Sequence, residues 1–289
     1  MRFLSPSTLQ EALEAKAEHP GAVPITGGTD VMVELNFDKR RPDLLLDLTR
    51  VAELGRWEAD GEGRTRLGAA VPYSRIIAEL PALAPGLAKA SRTVASPQIR
   101  NRGTVGGNLG GASPAGDALP PLLATDALVE LASVRGTRTV RARDYFLSFR
   151  TTARRDDELI TAVVLPAPAG PQHFAKIGTR NAMVIAVTSF ALALDTRGRT
   201  VGTGIGSAGP TPLRAEAAED FLAGEIDWDS PAPLPEAAVR RFGELVAAAA
   251  RPIDDQRGSA AYRRHALSVM ARRTLTWSIT DYRKEAACA

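Results

Sequence analysis

Ile25-Thr26-Gly27-Gly28-Thr29-Asp30 and, further along, Thr104-Val105-Gly106-Gly107-Asn108 are the two stretches that decide how this chain folds. Each is a glycine pair flanked by small hydroxyl or amide residues. Glycine reaches backbone dihedrals that other residues avoid, so such a turn can aim several backbone N–H groups at one anion. Two turns of this kind can hold a diphosphate from both sides. They therefore indicate a nucleotide cofactor.

The first turn follows a predicted buried strand, Ala22 to Ile25, and precedes the apolar segment Val31 to Leu35. A strand–turn–helix arrangement binds phosphate well, because the helix N-terminus presents free N–H groups. The alternative is a tight connection between two core elements, since glycine pairs are common in turns.

The second turn belongs to a longer glycine-rich stretch, which holds six glycines between Gly103 and Gly116. Such a stretch loses much conformational entropy when it is ordered, and a bound ligand would offset that cost. A loop without a ligand is the alternative. Asp117 ends the stretch, and a hydrogen bond to a sugar or ribityl hydroxyl suits it better than contact with a diphosphate of like charge. It could also cap a helix predicted over Leu119 to Thr125.

Composition excludes several classes of function. Of the 289 residues, 36 are basic and 33 acidic, and the basic ones form no continuous stripe, so we expect no nucleic acid partner. Cys288 is the single cysteine, too few for an iron–sulfur cluster, which takes about four thiolates. The three histidines are scattered, so we expect no metal site. No Ser/His/Asp triad or catalytic carboxylate pair stands out, so we assign no catalytic residue.

The N-terminus lacks the apolar run of a signal peptide, and the longest apolar stretch, Met183 to Leu194, is too short to cross a bilayer. We therefore expect a cytoplasmic protein without a membrane partner. The proline-rich segment Pro166 to Pro171 is the best linker. It divides the chain into residues 1–170, with mixed helices and strands, and residues 171–289.

The second part begins with apolar segments spaced for an antiparallel sheet and ends in two helices, which gives an α+β chain. Gly204-Ile205-Gly206-Ser207-Ala208-Gly209 matches the dinucleotide fingerprint, but Pro210 and Pro212 delay any helix, so a Rossmann unit is not expected. Lys176 lies in an apolar strand, where it either reaches the surface or meets a ligand. Arg263, Arg264, Arg272 and Arg273 are expected on a solvated helix face or at a subunit interface.

Taken together, these motifs resemble the FAD-binding subunit of the xanthine dehydrogenase family of molybdenum hydroxylases. The resemblance spans the whole chain and includes three further segments: Ala112-Ser113-Pro114-Ala115-Gly116-Asp117, Lys176-Ile177-Gly178-Thr179-Arg180-Asn181-Ala182-Met183, and Gly206-Ser207-Ala208-Gly209-Pro210-Thr211-Pro212-Leu213-Arg214. It implies a two-lobed FAD-binding domain of the vanillyl-alcohol-oxidase or PCMH type. A C-terminal domain like that of the CO dehydrogenase flavoprotein would follow, with a three-stranded antiparallel sheet and helices.

The resemblance also implies which residues bind the cofactor. The two turns would hold the FAD diphosphate, Asp117 and Lys176 would contact the flavin nucleotide, and Ile160 would lie beside it. The full set of implied residues is Ile25, Thr26, Gly27, Gly28, Thr29, Asp30, Val31, Thr104, Val105, Gly106, Gly107, Asn108, Asp117, Ile160 and Lys176. Neither turn contains histidine or cysteine, which favours a non-covalent flavin.

The implied function is electron transfer. FAD on this chain would accept electrons from the [2Fe–2S] clusters of a small partner subunit and pass them to NAD+ or another acceptor. A large molybdopterin subunit would oxidise the substrate, in a dimer of heterotrimers. Thr29-Asp30 replaces the His-Ser of the carbon monoxide branch, which favours the xanthine or aldehyde branches. A self-contained flavin oxidase or reductase is one alternative, and a non-catalytic nucleotide-binding regulator is another.

Overall fold

A computed structural model describes residues 1–181 and 183–288 of the chain; Ala182, within the segment quoted above, lies outside the described residues. The strands are β1 (Arg2–Leu4), β2 (Val23–Ile25), β3 (Leu44–Asp47), β4 (Trp57–Ala59), β5 (Thr65–Gly68), β6 (Leu128–Ser133), β7 (Gly136–Arg141), β8 (Phe146–Ser148), β9 (Thr151–Thr152), β10 (Leu159–Leu165), β11 (Gln172–Ile177), β12 (Thr188–Asp195) and β13 (Thr200–Gly206). The helices are α1 (Leu9–Glu18), α2 (Val31–Asn36), α3 (Tyr73–Glu79), α4 (Pro85–Ser91), α5 (Pro97–Arg100), α6 (Val105–Gly111), α7 (Leu119–Ala124), α8 (Ala142–Tyr145), α9 (Glu216–Glu225), α10 (Glu236–Ala249) and α11 (Ala260–Cys288).

The N-terminal part has two lobes. In the first, β1, β3 and β2 form a parallel sheet in that order, and α1 packs on it around Ala12 and Leu46. Thr8 caps α1 by accepting a hydrogen bond from the Glu11 N–H, and the Glu11 side chain accepts one from the Ser7 N–H. The capped helix leads through a short turn into β2, which places the first glycine turn at the end of the sheet.

The second lobe is a five-stranded antiparallel sheet with the order β4-β5-β10-β6-β7. Helices α3, α4, α6 and α7 cover it, and their apolar side chains share one core with the sheet, including Ile76, Leu109 and Val163. Within the glycine-rich stretch, the residues directly after Thr104 do not form a loop. They fold as α6, with Thr104 as its N-cap, because tertiary packing overrides the low helix propensity of glycine.

The C-terminal part contains the expected three-stranded antiparallel sheet, β11-β12-β13, covered on one side by α9, α10 and α11. Its other side packs on α7 of the N-terminal part. A Cβ atom on Gly202 would lie 1.9 Å from the Ala124 carbonyl oxygen, and one on Gly204 would lie 2.0 Å from that of Pro120. Gly202, which precedes the fingerprint-like motif, and Gly204, its first residue, thus allow α7 to approach β13. The first two glycines of the motif lie within β13 and not in a Rossmann turn.

One of the four arginines expected on a solvated face is instead buried. Arg263 is 4% exposed, donates to the Ser207 carbonyl oxygen at 2.6 Å and pairs with Asp255. Its partners lie on loops distant in sequence, which helix periodicity cannot show. Among the helices of the described residues, none combines the length and apolar composition that a membrane span requires.

A histidine joins the two parts of the chain away from the turns. His173 on β11 lies with Nε2 2.9 Å from an Asp281 oxygen on α11 and with Nδ1 3.3 Å from the Lys89 amine on α4. Since the amine can only donate, Nδ1 accepts and the proton is on Nε2. A neutral imidazole therefore fits this junction.

Burial, assisted by Lys89, lowers the pKa of His173 below its usual 6.5. Between the lowered pKa of the folded state and the usual 6.5 of the unfolded state, the folded protein binds fewer protons. The stability contributed by His173 is therefore present above about pH 6.5 and is lost as the pH falls from there through the folded pKa. We expect the free energy of unfolding to fall between about pH 7 and pH 5 more steeply in the wild type than in His173→Gln. Denaturant titration at each pH measures this. The exposed His265 provides a control, since His265→Gln should keep the wild-type profile. Equal slopes for all three proteins would contradict the prediction.

Candidate functional site

A cavity of about 960 Å³ lies between the two lobes and the C-terminal sheet. Of the predicted cofactor-binding residues, those that line it are Ile25, Thr26, Gly27, Gly28, Thr29, Asp30, Val31, Thr104, Gly106, Gly107, Asn108, Asp117, Ile160 and Lys176. Val105 does not line it; this side chain is fully buried and belongs to the core shared by α6 and the five-stranded sheet. Residues from five separate segments of sequence thus meet in one cavity.

The two glycine turns touch each other through their backbones. A Cβ atom on Gly27 would lie 1.8 Å from the Arg102 carbonyl oxygen, so any side chain there would push the turns apart. Gly28 has a φ of +73°, which an L side chain rarely adopts. The hydroxyl oxygens of Thr26 and Thr104 lie 3.3 Å apart. Sequence alone indicates two turns, whereas their direct contact is a tertiary result.

The backbone amides of the two turns differ in what they offer a ligand. In the part of the chain that the structure describes, the N–H groups from Gly27 to Val31 donate to no protein acceptor. In α6, by contrast, Gly106 donates to the Ala69 carbonyl oxygen at 3.1 Å and Gly107 to the Thr104 hydroxyl at 2.9 Å. The first turn therefore provides the free donors. The second provides glycines, and an anion can approach their backbone closely because no side chain is in the way.

Asn108 organises the loop that carries Asp117. Its Oδ1 accepts a hydrogen bond from the Ala118 N–H at 3.3 Å, and its side chain packs where a Cβ on Gly116 would be, 2.6 Å from that oxygen. Although Asn108 also lines the cavity, its side-chain oxygen already accepts the hydrogen bond from Ala118. Gly116 is required here because the asparagine side chain occupies the space beside it.

Asp117 and Lys176 form a buried ion pair between the two parts of the chain. Their side chains are 7% and 8% exposed, and Lys176 Nζ lies 2.5 Å from Asp117 Oδ2. Lys176 also donates to the Thr93 carbonyl oxygen at 3.0 Å, and the Thr93 hydroxyl donates to Asp117. Lys176 therefore does not reach the surface. Nor does Asp117 cap α7, whose N-cap is Ala118.

The second oxygen of Asp117 has no partner. Oδ1 is fully buried and makes no hydrogen bond within the described residues, although Asp117 lines the cavity. Burial raises the pKa of Asp117 from 3.8 to about 6, and the nearby Lys176 opposes this rise. The protein therefore satisfies the Asp117 carboxylate on one oxygen only.

Ile160 reaches the cavity because β10 is irregular at this point. The pairing of β10 with β6 shifts register between Ile160 and Ala162, and the Ile160 side chain then lies close to Gly110 of α6. The result is an apolar wall beside the second turn.

Sequence reasoning missed part of the lining. Except for Arg180, which lies in a segment that carries the family resemblance, the missed residues come from segments without a recognisable motif. They include Tyr73, Val94, Arg150, Arg154, Glu158, Arg180 and Arg257. Arg150, in the hairpin that joins β8 and β9, donates to Glu34 at 2.6 Å and so ties this hairpin to the helix after the first turn. Within residues 1–181 and 183–288, no histidine or cysteine lines the cavity, and no cluster of His, Cys, Asp or Glu could hold a metal ion.

Comparison with known families accounts for this arrangement. Residues 1–168 match the model of the FAD-binding domain in molybdopterin dehydrogenase, and residues 173–278 match that of the CO dehydrogenase flavoprotein C-terminal domain. The chain belongs to this flavoprotein family. The fold class and the family that the two turns indicated are both confirmed: a PCMH-type FAD-binding domain is followed by the CO-dehydrogenase-type C-terminal domain.

Relatives and solved structures of this flavoprotein are similar over three quarters or more of their length. It is 34% identical to the nicotinate dehydrogenase FAD-subunit of Eubacterium barkeri, over 77% of this chain and 79% of that protein. It is 32% identical to the nicotine 6-hydroxylase medium subunit of Paenarthrobacter nicotinovorans, over 95% and 96%. Quinoline 2-oxidoreductase from Pseudomonas putida 86 superposes with a TM-score of 0.88 at 26% identity, over 98% of both chains.

The contact at Gly27 predicts a strong effect of a small change. In Gly27→Ala, the added methyl group would meet the Arg102 carbonyl, and we expect a loss of about 1–3 kcal/mol in the free energy of unfolding. Gly21→Ala is the matched control, because no atom lies within 4 Å of its Cβ position. Denaturant titration of both variants tests this, and equal stabilities would show that the turns do not need this contact.

The buried ion pair predicts a non-additive pair of variants. Lys176→Met leaves the Asp117 carboxylate buried without its partner, and we expect this to cost about 3 kcal/mol or more of stability. Adding Asp117→Asn to the same chain should recover most of that loss, because no charge is then left unpaired. A double-mutant cycle from denaturant titrations measures the coupling. Simple additivity would mean that the pair contributes nothing to the folded state.

Proposed function

We propose that this chain is the FAD-carrying electron-transfer subunit of a molybdenum hydroxylase of the xanthine or aldehyde dehydrogenase type. Membership of the FAD-binding family and the meeting of both glycine turns, Asp117 and Lys176 in one cavity support it. When bound, FAD supplies the redox chemistry that connects one-electron carriers with a two-electron acceptor.

The residues of the cavity fit this cofactor. The free amides from Gly27 to Val31 would hold the diphosphate, and the bare glycine surface of α6 would let it approach. Asp117, which lines the cavity, would accept a hydrogen bond from a ribityl or ribose hydroxyl. Ile160 would contact an apolar part of the flavin, and no covalent link is expected because no lining residue of the described chain is a histidine or cysteine.

Lys176 has two effects on such a site. Its ammonium group lies 2.5 Å from Asp117, where it favours the ionised carboxylate that accepts a hydroxyl hydrogen bond. It also joins β11 to the FAD-binding domain through the Thr93 carbonyl. The C-terminal domain thereby closes one side of the cavity and limits the access of water to it.

We assign the one-electron carriers to other chains, since the single cysteine of these 289 residues cannot hold an iron–sulfur cluster. We therefore assign [2Fe–2S] clusters to a small partner subunit and molybdopterin to a large one, with two heterotrimers per cytoplasmic complex. Carbon monoxide dehydrogenase, whose medium chain from Afipia carboxidovorans is 30% identical to this chain, is one assembled relative. NAD+ is the proposed final acceptor.

Purification tests the proposal. The tagged chain should be yellow and release FAD on denaturation, and untagged genomic neighbours should copurify with it together with molybdenum and iron. Colourless protein that fails to bind added FAD would overturn the proposal. Turnover of a small substrate by the isolated chain would instead favour a self-contained flavin oxidase or reductase.

The raised pKa of Asp117 predicts how FAD binding depends on pH. Below a pKa of about 6 the carboxyl group is protonated and becomes a poorer acceptor for a flavin hydroxyl. We expect the FAD dissociation constant of the wild type to rise several-fold between about pH 7 and pH 5. Asp117→Asn cannot titrate and should show weaker binding with little pH dependence. Fluorescence titrations measure both, and parallel pH profiles would contradict the assignment.

A further inference from the structure

Tyr73 lies beneath the place where the two turns meet. Its N–H donates to the Gly103 carbonyl oxygen at 3.0 Å, and the preceding Pro72 pairs with Thr104 in an isolated bridge. The backbone of the second turn thus fixes the start of α3. The Tyr73 side chain is 3% exposed and lines the cavity.

Two strong donors that line the same cavity already have protein partners. Lys176 is bonded to Asp117 and to the Thr93 carbonyl, and Arg150 is bonded to Glu34. The Tyr73 phenol, in contrast, makes no hydrogen bond among the described residues. It also differs from Asp117 Oδ1 and the Tyr145 phenol, which have no partner but are completely enclosed by protein atoms. Its oxygen is therefore accessible from the cavity that its side chain lines.

The charges around Tyr73 favour a donor. Burial raises the pKa of the phenol well above its usual value, and the charges of Asp117 and Asp30 add to this rise, so the phenol stays protonated. A diphosphate placed near these two carboxylates is repelled by both. A neutral O–H group offsets part of that repulsion and adds no further charge.

We propose that Tyr73 is a further cofactor-binding residue, whose phenol donates a hydrogen bond to an oxygen of the bound flavin nucleotide. The inference rests on the proposed function, since it requires that FAD occupies this cavity. It also assigns Tyr73 a role that neither glycine motif indicates, because the residue precedes the second turn by about thirty positions.

Tyr73→Phe tests this, because it removes one oxygen and keeps the ring that packs against Gly103. Tyr145→Phe is the matched control: Tyr145 is fully buried in the same core but does not line the cavity. The apoproteins of wild type and both variants are titrated with FAD, with flavin fluorescence as the readout. We expect Tyr73→Phe to raise the FAD dissociation constant about fivefold to tenfold, as for the loss of one neutral hydrogen bond, and Tyr145→Phe to leave it unchanged.

Thermal melts of the apoproteins separate binding from folding. Tyr73→Phe should melt at or above the wild-type temperature, because the hydroxyl it removes has no partner in the protein. Unchanged FAD affinity in Tyr73→Phe would overturn the inference, as would a lower melting temperature that assigns the hydroxyl a structural role. If the wild type itself fails to bind FAD, the proposed function is wrong, and that result is distinct from both.

Discussion

The contact between Gly27 and the Arg102 carbonyl is the constraint on which the rest of the site depends. It requires two backbones to pass closer than any side chain allows, with 1.8 Å between a Cβ at Gly27 and the carbonyl oxygen. Because β2 delivers one turn and the bridge between Pro72 and Thr104 holds the other, the two lobes are aligned at this point. The cavity is the space that remains between them.

Once the turns are in contact, they take different roles. The first turn leaves its amides free, whereas α6 uses its own amides to hold Thr104 and Ala69. The first N–H groups of α6 find acceptors in the Thr104 cap and the neighbouring Ala69 carbonyl, whereas the N–H groups of the open first turn have no such acceptors. An anion bound here would accept hydrogen bonds from the first turn, and the glycines of the second would let it come close to the backbone.

The C-terminal domain completes the site through buried charge and close packing. The glycines of β13 admit α7, and the Asp117–Lys176 pair then forms across the junction. A buried pair of this kind adds little stability relative to apolar residues, but breaking it is costly, so it favours one relative placement of the domains. Lys176 and His173 both lie on β11. This strand therefore joins the domains at the cavity and, through Lys89, at α4.

The sequence by itself determined the α+β class, the first glycine turn and the antiparallel C-terminal sheet, because each depends on local dihedral preference or hydrophobic periodicity. The family resemblance added Asp117, Ile160 and Lys176. Only the tertiary structure decided that Val105 to Gly111 is helical, that Asn108 packs against Gly116, that Arg263 is buried, and that Tyr73 and Arg150 reach the cavity. These outcomes depend on contacts between residues far apart in sequence, which no local pattern encodes.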